Sequence, residues 1–227
     1  MRRGGARLRN TLLAGLGAAL LALALAQLLL PGIVADRIES RLRPYGSVYS
    51  VHVSAWPAVE LLWGRADAVD VRARSLTLSS ARAAGLLWEA RGAHSLQITA
   101  AGVRVGRLLL GDARLRKLGS ALSAEALMSA AAVRAALPPG VALTLLGSAG
   151  GRVRVLAAGG LFGLGASVEA VAEASRGSLV AHPLGPLLEG FQLTLFADPH
   201  VHVEGVGAEA APGVVAAYRL TLAASLR

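Results

Sequence analysis

The stretch Ala55–Ala73, AWPAVELLWGRADAVDVRA, decides how the chain is read. Its first half is a small apolar knuckle between Pro57 and Gly64. Trp56 and Trp63 stand at its ends, two of only three tryptophans in the chain. Its second half changes period. Val69, Val71 and Ala73 alternate with Asp70, Arg72 and Arg74, the two-residue rhythm of a strand with one buried and one wet face. A short helical knuckle therefore stands at the mouth of a half-polar strand. The rest of the sequence must show what the apolar side lies against.

Toward the C-terminus the alternation recurs with breaks in phase. Within Val69–Leu78 the apolar side is odd-numbered through Ala73 and even-numbered at Leu76 and Leu78. In Ser95–Val105 it passes from Leu96, Ile98 and Ala100 to Val103 and Val105 across Gly102. A slip of one residue reverses the face, so such breaks read as bulges, which bend and coil a sheet. Arg107–Arg116 is a further strand candidate. The segment Ser123–Leu137, SAEALMSAAAVRAAL, predicts a helix capped by Ser123 and stopped by Pro138, Pro139 and Gly140. From Val141 onward the chain reads as an antiparallel meander, with alternating segments around Val153, Val168, Leu193, Val201 and Leu220. Gly159–Gly165, GGLFGLG, reads as a turn between these strands, because no amphipathic helix follows it to form a phosphate loop.

Toward the N-terminus, Ser47–Ala55 alternates as a first strand. Ile33–Arg43 predicts a short amphipathic helix ended by Pro44 and Gly46. Before it, Thr11–Leu30 runs for twenty residues without a charge, preceded by Arg2, Arg3, Arg7 and Arg9. At helical rise that run spans about 30 Å, one hydrocarbon core. The arginines place the amino terminus in the cytoplasm and residues 33–227 outside it, on the periplasmic side of a single-pass anchor at residues 1–32. A cleaved signal peptide is the alternative, since Ala24-Leu25-Ala26 offers small residues before Gln27.

Composition narrows the function. Hydrophobic residues make up 54% of 227 and charged residues only 16%, while aromatics are 4%. There is no cysteine, which excludes disulfides, thiolate metal sites and thiol catalysis. The formal charge of +9 falls to +5 without residues 1–10, leaving 19 basic against 14 acidic residues. Neither that charge nor the compartment favours nucleic acid, and no cofactor motif is present. About nine strand segments carry one apolar face each, and each face must be buried. The two or three helices of residues 33–227 cannot cover them, and bulky rings that would fill a lumen are scarce. The fold expected is α+β and mostly antiparallel, with an N-terminal transmembrane helix, and its sheet either closes on itself as a filled barrel or sandwich or curls around something apolar that the chain does not encode. Either the sheet encloses lipid acyl chains, or it is a self-filled structural domain that meets a protein partner.

Val51-x-Val53, Pro57, Gly64 and Val69-x-Val71, followed by Leu137–Val141 (LPPGV) and Gly151–Val155 (GRVRV), stand in an order that resembles the LmeA-like phospholipid-binding proteins of actinobacteria. The resemblance covers residues 33–226. It implies a relative of the tubular lipid-binding fold: a long, curved, mostly antiparallel sheet wrapped on one or two helices and enclosing an acyl-chain groove. It also implies anionic phospholipid as ligand, the membrane as partner, and a role beside an envelope biosynthesis protein in glycolipid assembly. This chain differs in having Trp56 and Ala58 on either side of Pro57, where the family leads one to expect Phe nearby.

The candidate lipid-contacting residues are Trp56, Leu61, Leu62, Trp63, Val69, Val71, Leu76 and Leu78. The knuckle among them either guards a groove, touches the bilayer interface, or is an ordinary helix on the core. Arg65, Arg72 and Arg74 are candidates for the anionic headgroup, against the commoner reading of a solvated sheet face. His200, His202 and Glu204 form a weak candidate metal row, and Glu169 and Glu173 a carboxylate pair with no cleft signal. No nucleophile elbow is present, and the chain is read as a binding protein without metal or catalytic residues.

Overall fold

The computed structural model describes residues 4–161, 164–185, 190–213 and 216–227, with side chains from residue 22 onward except at 160, 161 and 164. Helix α1 (Gly4–Leu42) leads through a 3₁₀ turn, Arg43–Tyr45, into β1 (Gly46–Ser54). A 3₁₀ knuckle, Ala58–Trp63, precedes β2 (Ala66–Leu78). Helix α2 (Ser80–Glu89) and a 3₁₀ turn, Ala90–Gly92, carry the chain to β3 (Ala93–Val105), which runs parallel to β2. Then come β4 (Leu108–Leu118), β5 (Ala121–Ser129) and helix α3 (Ala130–Ala136). Strands β6 (Val141–Ala149), β7 (Arg152–Leu161), β8 (Leu164–Ser175), β9 (Ser178–Leu184) and β10 (Leu193–Phe196) follow. Strands β11 (Val201–Ala210) and β12 (Ala217–Leu226) end the chain.

The class is α+β and the pairing mostly antiparallel, but the strands form two sheets instead of one. The first has seven strands in the order β1-β2-β3-β4-β5-β12-β11, and the second has five in the order β10-β9-β8-β7-β6. The expected C-terminal meander holds for β6–β10. Strands β11 and β12 leave it and return to β5. The predicted helix Ser123–Leu137 is corrected: its first part is β5, and only Ala130–Ala136 is helical. Leu122, Ala124, Ala126 and Met128 alternate as well as they spiral, and pairing with β12 decides between the two periods. Ser129, not Ser123, is the cap; its side chain accepts from the Ala132 amide at 3.1 Å. The helix predicted over Ile33–Arg43 is the last part of the longer α1.

Among the described residues no helix is long and apolar enough to cross a membrane. The run Thr11–Leu30 lies in α1, but the side chains of its residues 11–21 are outside those described.

The register shows how the first sheet is layered. One row crosses all seven strands as Val51–Val71–Ile98–Leu115–Ala124–Leu222–Val206. The adjacent row on the same face is Val53–Val69–Leu96–Lys117–Leu122–Ala224–Val203. The row between them belongs to the other face and reads His52–Asp70–Gln97–Arg116–Ser123–Ala223–Gly205. The sheet thus has one aliphatic and one polar side, as the alternation requires. Helices cover only part of the aliphatic side. Ile38 and Leu42 of α1 pack on the Val69–Val71–Leu96 cluster, and Ala84 of α2 packs with Leu122, Val201 and Ala224. Leu87 of α2 touches both groups. The sequence reading assigns nothing to residues 79–94; the structure finds there an α2 whose start is capped by Ser79, which accepts from the Arg82 amide at 3.2 Å.

The second sheet meets the first at β11. The Val203 amide donates to the Gly177 carbonyl at 2.8 Å, and the Val206 amide to the Gly151 carbonyl at 3.1 Å. The Ala208 amide donates to the Ser148 hydroxyl at 3.1 Å. The hairpin turns of the second sheet therefore cap the outer edge of β11, which would otherwise offer unpaired donors. Gly177 sits in the left-handed region at φ 81°, and a Cβ there would land on the His202 ring.

Candidate functional site

The candidate site starts from what the aliphatic faces lack. Among the described residues Val203 is the only one larger than alanine that is fully buried. The other closely buried core residues of the first sheet are mainly Ala and Val, with Leu76, Leu96 and Leu122 the largest. Ile98, Val103, Leu110, Leu115, Val206, Leu220 and Leu222 are on the aliphatic face and stay half-buried. The second sheet carries matching rows, Leu145–Val155–Ala170–Pro183 and Leu143–Ala157–Val168, also half-buried. A well-filled interior buries its large aliphatics almost completely. Here, among the described residues, the sheets present long aliphatic strips without side chains to complete them. Such a surface suits a flexible hydrocarbon chain, which gains about 0.8 kcal/mol for each methylene withdrawn from water.

The predicted lipid-contacting residues divide between two places. Val69, Val71 and Leu76 are buried on the aliphatic face, and Leu78 continues it beside Val105. Trp56, Leu62 and Trp63 are exposed on the knuckle, while Leu61 is half-buried. The knuckle is fastened from both sides. The Trp56 amide donates to Asp67 Oδ2 at 2.7 Å. Gln27 of α1 clasps it with both ends of its amide: Nε2 donates to the Ala55 carbonyl at 2.9 Å, and Oε1 accepts from the Ala58 amide at 2.7 Å. Ala55 and Ala58 are buried beneath this clasp. The Trp56–Pro57 peptide is cis.

The predicted headgroup residues also separate. Arg65 is exposed directly after the knuckle, its amide donating to the Glu60 carbonyl at 3.1 Å. Arg72 and Arg74 project from the polar side of β2, opposite to Val69 and Val71. Arg72 pairs with Asp70 at 3.4 Å, and Arg74 lies over the Tyr49 ring. The structure therefore joins Arg65 to the knuckle, and it places Arg72 and Arg74 on the outward surface. Arg114 and Arg116 share that surface on β4.

Lys117 is an exception within its aliphatic row. It is only 3% exposed, and its ammonium donates to the carbonyls of Ala93 and, at 3.4 Å, Arg91. Burial lowers its pKa, because the charged form loses its hydration. It ties β4 to the start of β3.

The minor constellations are placed as follows. His200 stacks on Trp88 with ring centroids 4.2 Å apart, and His202 lies 3.3 Å from the Arg227 guanidinium. Glu173 pairs with Arg152 at 2.7 Å, and Glu169 pairs with Arg154. A shallow depression of about 390 Å³, lined by residues including His182, Pro183, Leu184 and Phe191, lies at the β9–β10 end, away from the knuckle.

The comparisons agree with the aliphatic strips. A family model described as LmeA-like phospholipid-binding matches residues 21–217. The chain belongs to the LmeA-like phospholipid-binding family. The match covers the described end of α1, the knuckle and the strands from β1 to β11, and it stops at the first residue of β12. No match was found among curated proteins or solved structures. Family membership supports lipid binding, with phospholipid as the partner class.

Sequence reasoning missed several participants. Gln27 is the only amide within Thr11–Leu30, and that isolation was the available signal. The strips of the second sheet were visible as alternation in Leu143, Leu145, Val153 and Val155, but their placement on one open face needed the register.

Proposed function

We propose that this chain is a membrane-anchored, extracytoplasmic phospholipid-binding protein that holds acyl chains against the aliphatic faces of its two sheets. The observation that carries the proposal is the half-buried strip of Ile98, Leu115, Leu222 and Val206, continued in kind by Leu145 and Val155 of the second sheet. A self-filled interaction domain would need protein side chains over these residues. The charge-free run Thr11–Leu30 supports the anchor, and the exposed leucines at its described end support it further. Arg65, next to the knuckle, suits an anionic headgroup at the mouth. Arg72 and Arg74 act at the outer surface, where they attract an anionic bilayer without touching the bound chains. In the envelope, such a protein supplies or buffers phospholipid for glycolipid assembly.

The test is to purify the full chain in a mild, exchangeable detergent and to extract its lipid for mass spectrometry. A diacyl phospholipid in near-stoichiometric amount is expected, enriched in anionic species. A folded protein that yields only detergent-exchangeable traces, and takes up none from vesicles, refutes the proposal.

A further inference from the structure

The knuckle differs from the rest of the domain in how openly it shows large apolar groups. Trp56 is 73% exposed, Trp63 71% and Leu62 67%. Such side chains normally find cover in a soluble domain, and clustered exposure marks a contact surface. The Gln27 clasp fixes what lies beside them. Leu25, Leu28 and Leu29 flank Gln27 on α1, and Leu28 is 78% exposed. The clasp thus binds the knuckle to the last two turns of the charge-free run. Both of its hydrogen bonds go to backbone atoms and use donor and acceptor together, so the amide is oriented and not merely near.

We infer that the knuckle and this end of α1 form one bilayer-docking surface, with Trp56, Leu62 and Trp63 seated at the interface of the membrane that holds the anchor. The inference rests on the anchored reading above. Two observations select a bilayer as occupant over a protein partner. The surface is continuous with twenty uncharged residues of bilayer-spanning length. It also presents two exposed tryptophans close to the exposed Arg65, and both residue types are favoured at a membrane interface. The same knuckle adjoins β2, where Val69 and Val71 begin the aliphatic strip. Docking therefore holds the helix-covered end of the first sheet, together with the knuckle, at the lipid surface.

The three tryptophans allow a direct test on the full chain in vesicles of phosphatidylcholine and phosphatidylglycerol. Trp88→Phe leaves only the knuckle tryptophans. The Trp56→Phe, Trp63→Phe double variant leaves only Trp88, which is stacked on His200. Part of the phospholipid carries bromine, placed either high or low on the acyl chain. The knuckle tryptophans should be quenched, more by high than by low bromine, and should be shielded from aqueous iodide. In the Trp88→Phe background, replacing Leu62 and Trp63 together by Asp should reduce the quenching of the remaining Trp56 about tenfold, while the far-UV circular dichroism spectrum stays unchanged. Gln27→Ala should alter the ratio of high to low quenching, because the clasp sets the depth.

Knuckle tryptophans that escape bromine yet meet iodide overturn the inference. Shielding from iodide without bromine quenching, together with cross-linked dimers, overturns it in favour of a second copy. Co-purified lipid with a silent knuckle removes the docking surface and leaves the proposed function standing. Bromine quenching in a protein that carries no lipid supports docking and removes the proposed function instead.

Discussion

The two sheets share one alternation but use it differently. In the seven-stranded sheet, α1 and α2 lie on one end of the aliphatic face, and Val69, Val71, Leu96 and Leu122 are buried there. Among the described residues of the five-stranded sheet, Val171 and Val180 are buried, and they are on the opposite face. There they lie among the Arg152–Glu173 and Arg154–Glu169 pairs, whose long stems cover aliphatic neighbours. The aliphatic face of that sheet, with Leu143, Leu145, Val153 and Val155, stays half open. Buried core and open aliphatic surface are thus separated in space. The first sheet holds itself together where the helices lie, and the second keeps its apolar side available.

The sharpest way to break this contrast is to place the same charge in both sheets. Val71→Asp puts an unpaired carboxylate into the covered end, and a loss of about 3–5 kcal/mol is expected in urea unfolding. Val155→Asp faces the open strip; its stability cost should remain below about 1.5 kcal/mol, while lipid uptake falls. Equal destabilisation by both would show that protein, not lipid, covers the second sheet.

The junction gives the next largest effect. Gly177→Ala forces a Cβ into a left-handed position and onto the His202 ring. A cost of about 2 kcal/mol is expected. Hydrogen exchange should report it at the Val203 amide, which donates to the Gly177 carbonyl.

Lys117→Met should change stability at neutral pH by no more than about 1 kcal/mol, since relief of a desolvated charge offsets two carbonyls left without a donor. Its signature is in the pH dependence. The folded-state pKa of Lys117 is lowered by burial from 10.5, so the unfolded chain binds this proton more tightly. The wild-type protein should therefore gain stability as pH rises from the lowered value towards 10.5. The methionine variant should lack that slope, and paired urea titrations across the interval measure it. The smallest effect is expected at the second sheet's outer pairs: Arg154→Ala should cost about 0.5 kcal/mol or less, because the guanidinium is largely solvated.

Much of this arrangement was legible in the sequence because strand faces repeat every two residues. Val69, Val71, Val153 and Val155 could be assigned to apolar faces from that rhythm alone, and the knuckle from Pro57 and Gly64. The partition into two sheets was not legible. It depends on β12 pairing with β5 across some ninety intervening residues, which no local pattern records. The same long-range pairing turned Ala121–Ser129 into a strand, since small alternating residues fit both periods. Of the candidate residues, Val69 and Arg72 were rightly assigned to opposite faces of β2, but whether either meets a lipid depends on what fills the space above them. Gln27 was hidden for another reason. A single amide in an apolar helix acquires meaning only when the backbone it clasps, Ala55 and Ala58, is known.

Lys117 is the sole lysine of the chain, and it is shut inside the first sheet. Every other basic side chain apart from histidine is a guanidinium, which keeps its proton at any pH a cell experiences. Amine-directed reagents should therefore find the folded protein nearly inert beyond its own amino terminus.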